Sequence, residues 1–266
     1  MELFVINLAA HEARWQAVAR QFEAMGLACE RHEASDGSQL PAAERDALFD
    51  AALNRRQYHR ALCDGEIGCY ASHRALWRRL LASGAPSAGV FEDDVELAPE
   101  LPRVLSAIAQ MPRGWDMVKL AGRAVEKIDT QRPLAWEHTL IQYRRVPCRT
   151  SGYVISRAGA EKLLKRRARV GRPVDVDLRH WWECELNLFG VQPYPVREAA
   201  SSRDSTIHGR AVARPGLGAR LHKLALQLDY SIANARACQA RRPPSWRAEP
   251  AAAAAGTGTR AATRQS

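Results

Sequence analysis

Leu3-Phe4-Val5-Ile6-Asn7-Leu8 is the stretch that decides the fold. It is an apolar run with β-branched members, the pattern of a strand buried on both faces. Residues 11–26 read as a helix ended by Gly26, and 27–32 as a second short strand. This β-α-β opening predicts an α/β sheet with parallel strands. Further along, 41–53 reads as helical, and Asp64 is the expected N-cap of a helix running to Ser83-Gly84. Ala88-Gly89-Val90-Phe91 is a buried strand that stops at Glu92-Asp93-Asp94. A helix is expected over 101–109 and strands over 115–120, 140–146 and 153–155. Ser156 caps a helix over 157–167, another helix spans 177–189, and 192–196, with two prolines, suits an edge strand.

Composition sets the class. Of 266 residues, 46% are hydrophobic and 26% charged, which excludes a wholly disordered chain, a fibre and a multispan membrane protein. The net charge of +10 is uneven. From residue 209 onward there are ten Lys/Arg against Asp229 and Glu249, whereas 1–208 holds 29 basic and 27 acidic residues. A nucleic-acid-binding fold carries its basic stripe on the folded domain, so this partition argues against a nucleic-acid partner. Six scattered cysteines without a CxxC pair read as reduced thiols. The first strand has no basic residues ahead of it, and no stretch approaches the roughly 18–20 apolar residues that span a bilayer. The expectation is a cytoplasmic protein.

Three units follow: a folded body over 1–208, a basic amphipathic helical segment over 209–240, and a disordered Pro/Ala/Gly/Arg-rich tail over 241–266. In the middle unit Leu221, Leu224 and Leu228 recur at helical spacing beside Arg220, Lys223 and Arg236. Such a segment can meet an anionic membrane surface or pack on the body.

Four segments can carry chemistry. Glu92-Asp93-Asp94 places three carboxylates at a strand's carboxyl end, where open α/β sheets bind ligands. A hard divalent ion bridging to phosphate would neutralise them; the plain alternative is a solvated strand-to-loop junction. In Asp64-Gly65-Glu66-Ile67-Gly68-Cys69-Tyr70-Ala71-Ser72-His73, Tyr70 and His73 share a stripe with Trp77 and Leu80, so His73 is either a core residue or a ligand. Gly65 and Gly68 permit close backbone approach, with free helix-start N–H groups available to an anion. Thr150 to Ser156 reads as loop, strand and cap. In Arg172-Pro173-Val174-Asp175-Val176-Asp177, one aspartate caps a helix, or a carboxylate faces the acidic triplet as general base.

Taken together, these segments resemble glycosyltransferase family 25, which contains bacterial lipooligosaccharide galactosyl- and glucosyltransferases and collagen galactosyltransferase domains. The resemblance rests on Val5-Ile6-Asn7-Leu8 with Arg14, Gly65-Glu66-Ile67-Gly68-Cys69 leading into Ser72-His73, Val90 to Val95, Gly152 to Ser156, and Pro173-Val174-Asp175. It implies a GT-A-like α/β sheet flanked by helices, a UDP-hexose donor, inversion, and a divalent metal (Mn²⁺ or Mg²⁺). The family's DxD-type element falls on Glu92-Asp93-Asp94, so Asp94, assisted by Asp93, is expected to hold the metal. Asp175 is the expected base and Glu92 its competitor. Asn7, Arg14, Ser72 and His73 are expected beside the donor, while Asp177 is an extra acid without a role. The acceptor would be a saccharide or lipid-linked oligosaccharide, with the protein peripheral on the inner face of the cytoplasmic membrane. A non-catalytic protein that keeps the fold for binding is the alternative.

Overall fold

The computed structural model describes residues 1–123, 125–199 and 216–241. Its centre is an eight-stranded sheet. In chain order the elements are β1 (Glu2–Asn7), α1 (Glu12–Ala24), β2 (Glu30–Glu33), α2 (Ala42–Leu48), α3 (Ala51–Gln57), α4 (Asp64–Ser83), β3 (Ser87–Glu92), β4 (Val95–Leu97) and α5 (Leu101–Ala109). Then come β5 (Met117–Lys119), β6 (Ile128–Ala135), β7 (His138–Tyr143), β8 (Gly152–Ser156), α6 (Arg157–Arg166), α7 (Val174–Asp177), β9 (Leu188–Gln192), β10 (Val196–Glu198) and α8 (Leu217–Ala240). Sheet order is β2-β1-β3-β8-β5-β9-β7-β6, with β4 and β10 forming a separate ribbon.

Burial on both faces explains the apolar runs. Phe4, Ile6, Val90, Tyr153 and Ile155 point to one face, against Tyr70, Trp77 and Leu80 of α4 and Leu163 of α6. Val5, Phe91, Val118 and Val154 point to the other, against Val18 and Phe22 of α1 and Leu105 and Ile108 of α5. Period-two alternation over a two-sided core gives the three layers of an α/β domain.

The sheet is mixed rather than parallel as expected. β1 runs parallel to β2 and β3, but β8 is antiparallel to both β3 and β5. The expected 177–189 helix is instead the end of short α7, a 3-10 turn (Trp181–Cys184) and β9, which lies inside the sheet between β5 and β7. Leu188 to Val191 is a short apolar run, for which periodicity alone does not separate strand from helix. The expected edge strand at 192–196 gives way to β10 on the ribbon, and β6 went unread because it is half exposed and polar. The single helix over 41–53 is two helices, with Asp50 capping the second through Leu53 N at 2.9 Å. Cys63, not Asp64, is the N-cap of α4, and its N–H donates to Glu66 at 3.0 Å. Gly68 makes its close approach to protein backbone rather than to a ligand: a Cβ there would lie 2.3 Å from Ser35 O.

α8 packs on the body through Tyr230 and Asn234, whose Nδ2 donates to Arg144 O at 2.8 Å. Leu217, Leu221, Leu224, Leu228 and Ile232 stay exposed as a stripe on that helix. The expected boundary at 208, and the expected disordered tail beyond Arg241, lie outside the described residues. Among the described residues no helix is long and apolar enough to cross a membrane.

Candidate active site

Strand direction assembles the site. β1 and β3 are parallel with Ile6 opposite Glu92, and β8 enters antiparallel with Gly152 opposite Phe91. Asn7, the Glu92-Asp93-Asp94 triplet and the Thr150-Ser151 approach to β8 therefore meet at one edge of the sheet. α7 brings Asp175 to the same place. Glu92, Asp94, Thr150, Ser151 and Asp175 line one cavity of about 380 Å³, together with Tyr58, Arg60, Glu66, Cys69, Arg149 and Glu198.

The three acids of the triplet differ sharply in partners. Asp93 is held by the protein: Asn7 Nδ2 donates to it at 2.6 Å, with Arg14 Nη1 at 3.8 Å and His11 Nδ1 at 4.0 Å. Asn7 is itself buried and donates also to His11 O at 3.0 Å. Glu92 accepts from the Thr150 hydroxyl at 2.6 Å. Burial, reinforced by Asp94, Asp175 and Asp93 and partly opposed by that hydroxyl, pushes its pKa up to about 7. Burial first and Asp93 next raise Asp94 as well, with Arg14 working against them.

Charge balance then singles out a subset. Glu66 is paired with Arg60 at 2.7 Å and Glu198 with Arg149 at 2.8 Å. Glu92, Asp94 and Asp175 are left without a Lys or Arg ion-pair partner within 4.0 Å among the described residues. Glu92, Asp94 and Asp175 line one cavity, and carboxylate oxygen is the ligand type a hard divalent cation takes. Among the described residues, the group that brings its ligand atoms within 4.8 Å of one another is instead Cys69, His73 and Glu92, where sulfur and imidazole suit softer ions than Mg²⁺ or Mn²⁺.

His73 and Ser72 lie under the site rather than in it. His73 is fully buried, with Nδ1 2.9 Å from the Tyr153 hydroxyl, and Trp77 Nε1 donates to that hydroxyl at 3.0 Å. Its Nε2, 3.9 Å from Glu92, has no hydrogen-bond partner among the described residues. Burial pushes His73 down to about 3, so the ring is neutral. Ser72 is saturated by backbone, donating to Gly68 O and accepting from Ser35 N, both at 2.8 Å. Asp177, the unassigned acid, is buried and structural: it accepts from Tyr70 at 2.7 Å, Arg167 at 2.7 Å and Arg172 at 3.1 Å. Asp175, two residues earlier, is half-buried at the cavity wall.

Some site residues carried no strong sequence signal. Thr150 stood in a loop that reads as plain architecture until β3–β8 pairing sets it against Glu92. Lys119 is buried beneath the cavity rim and donates to Pro147 O at 2.9 Å and Arg149 O at 2.5 Å, shaping the arch that carries Arg149 and Thr150. Burial drops its pKa to about 8.

Known proteins are similar to this chain over most of its length. The family model described as glycosyltransferase family 25 (LPS biosynthesis protein) matches residues 1–178. Procollagen galactosyltransferase 1 of Danio rerio is 30% identical over 213 residues, covering 72% of this chain and 35% of the relative. A glycosyltransferase 25 family member of Aedes aegypti is 29% identical, covering 62% and 28%. The inactive glycosyltransferase 25 family member 3 of Homo sapiens is 28% identical, covering 72% and 36%. The chain thus spans about a third of the length of these relatives.

Proposed function

The chain belongs to glycosyltransferase family 25, and from that premise we propose an inverting transferase that moves a hexose, galactose or glucose, from a UDP-sugar to a saccharide acceptor. The observation that carries this reading is the trio of uncompensated carboxylates, Glu92, Asp94 and Asp175, around one cavity. A protein that kept the fold only for binding has no use for acids that repel one another.

Asp94 is the residue proposed to hold Mn²⁺ or Mg²⁺; such an ion supplies charge stabilisation for a departing diphosphate. Asp93, clamped by Asn7 and Arg14, anchors the loop so that Asp94 faces the cavity. Inversion needs a base for the acceptor hydroxyl. Asp175 takes that role because it stands half-buried at the cavity wall. Glu92 is the second reading, favoured by a pKa near 7, which suits a base at neutral pH. Asn7 and Arg14 act beside the nucleotide through Asp93, while Ser72 and His73 support the cavity floor.

The acceptor we propose is a lipooligosaccharide, lipopolysaccharide or other cell-envelope glycan, lipid-linked at the inner face of the cytoplasmic membrane. The exposed leucine stripe of α8, beside Arg220, Lys223 and Arg236, suits peripheral contact with anionic lipid there. The test is UDP release from a panel of UDP-sugars with Mn²⁺, with and without saccharide acceptors. Release from one UDP-hexose supports the enzyme. No release from any donor, with UDP still bound, would favour the non-catalytic alternative.

A further inference from the structure

A second cavity of about 220 Å³ adjoins the first, and Tyr58 and Val176 line both. Its other walls come from His59, Arg145, Arg179, His180 and the face of α8 that carries Lys223 and Tyr230. Three fixed cations and two imidazoles line it, and among the described residues no carboxylate does. Arg145 and Lys223 have no hydrogen-bond or ion-pair partner among the described residues. Arg179 donates Nε to Val146 O at 3.2 Å and Nη1 to Cys148 Sγ at 3.5 Å. Both guanidinium groups lie against the Tyr230 ring, 4.9 Å and 4.5 Å from its centroid. That stacking holds two mutually repelling cations against one ring and leaves the N–H groups of Arg145 unspent.

We propose that this pocket binds an anionic group, phosphate or carboxylate, carried by the acceptor saccharide. Guanidinium groups with free edges recognise both anions through paired N–H donors. Val176 follows Asp175 directly, so a sugar hydroxyl presented to Asp175 in the first cavity leaves the neighbouring part of the acceptor over the second. Tyr58, between them, offers an aromatic face to a sugar ring. The word acceptor rests on the transferase reading; the anion site itself does not.

The test is calorimetric titration of the full chain with galactose 6-phosphate, galacturonate, galactose and inorganic phosphate. We expect one or both acidic sugars to bind at least about tenfold more tightly than galactose. That gap should close in Arg145→Gln/Lys223→Gln. Lys223→Gln alone, at the exposed rim, should narrow it, which keeps the test open if the double variant does not fold. Equal affinity for acidic and neutral sugars, or a preference surviving both variants, overturns the proposal. Inorganic phosphate binding as tightly as galactose 6-phosphate overturns its saccharide part. UDP competing for the same cations overturns it in favour of a donor site. Because no turnover is read, donor hydrolysis without acid preference sinks this inference alone, and acid preference without hydrolysis sinks the transferase reading alone.

Discussion

Two adjoining cavities share Tyr58 and Val176 and carry opposite charge, and they are built in different ways. The acidic one is made at strand ends, where the β1–β3–β8 register places Glu92 and the triplet, with Asp175 brought in by α7. The basic one is made from loops and one face of α8, with long side chains braced on Tyr230. A carboxylate set by backbone register is placed for chemistry, whose geometric tolerance is small. A cation on a long stem is placed for recognition, where attraction over several ångströms suffices.

The sharpest break in this comparison should come from Asp94→Asn. If the acidic cavity is the chemical one, kcat falls by about 10³-fold, the order expected for several kcal/mol of lost charge stabilisation. The melting temperature should hardly move. Normal turnover of this variant, or wild-type activity indifferent to EDTA, would remove the metal from Asp94.

Next is the contrast between two acids of one short motif. Asp175→Asn should lower the rate by about 10²-fold or more and leave stability within about 0.5 kcal/mol. Asp177→Ala should do the reverse in kind, costing about 1–3 kcal/mol, because it removes the buried acceptor of Tyr70 and one of the two carboxylates that pair with Arg172 and Arg167, leaving them Glu183 alone. Denaturant unfolding beside kcat separates the two. If Glu92→Gln, rather than Asp175→Asn, abolishes the rise of activity with pH, the base is Glu92.

A neutral imidazole stands beneath the acidic cavity and another in the wall of the basic one, and pH should reveal both. Burial pushes His73 to about 3, and burial with nearby Arg172 pushes His180 to about 4. Unfolded histidines take up protons below about 6.5 while these two do not. The stability they leave intact above that pH is therefore lost as pH falls toward 4. The slope is at most about 1.4 kcal/mol per pH unit for each. Urea unfolding between pH 7 and 5 should show it. His73→Phe and His180→Gln should each flatten the slope by about one proton; an unchanged slope in both would mean that neither ring is neutral.

The smallest effect expected lies on the outer face of α8. Replacing Leu221, Leu224 and Leu228 with Ser should weaken co-sedimentation with anionic liposomes by a few fold and leave donor hydrolysis intact. High salt should weaken it further, since each basic residue near such a surface adds about 1 kcal/mol. Equal sedimentation of both proteins would detach the membrane from this helix.

Much of this was legible in the residues. The apolar runs at Leu3 to Leu8 and Ala88 to Phe91 read as strands because a two-sided core leaves no polar face, and Ser156 read as a cap and is one, accepting from Gly159 N at 3.1 Å. The triplet stood out because clustered carboxylates are costly without a purpose, and Asp175 because it lies in a segment that carries the family resemblance. Leu188 to Val191 did not read correctly, since four apolar residues fit a strand or a helix turn equally well. Thr150 read only as part of a loop and Lys119 only as part of a strand, because their partners are 58 and about 30 residues away along the chain.

By itself, then, the sequence determined the α/β class, the strand that ends in the acidic triplet, and the separation of a near-neutral body from a basic end. These are local or compositional properties, set by side-chain periodicity and charge count. Only the tertiary structure decided which carboxylates are compensated. Asp93 and Asp94 are neighbours in sequence, yet Asn7 and Arg14 hold one, and among the described residues no Lys or Arg pairs with the other. Asp175 and Asp177 share a motif, yet one faces the cavity and the other is locked between two arginines. The basic pocket belongs to the same kind. Its cations come from residues 145, 179 and 223, which only folding brings together, and a charge acquires its chemical meaning from what lies within a few ångströms of it.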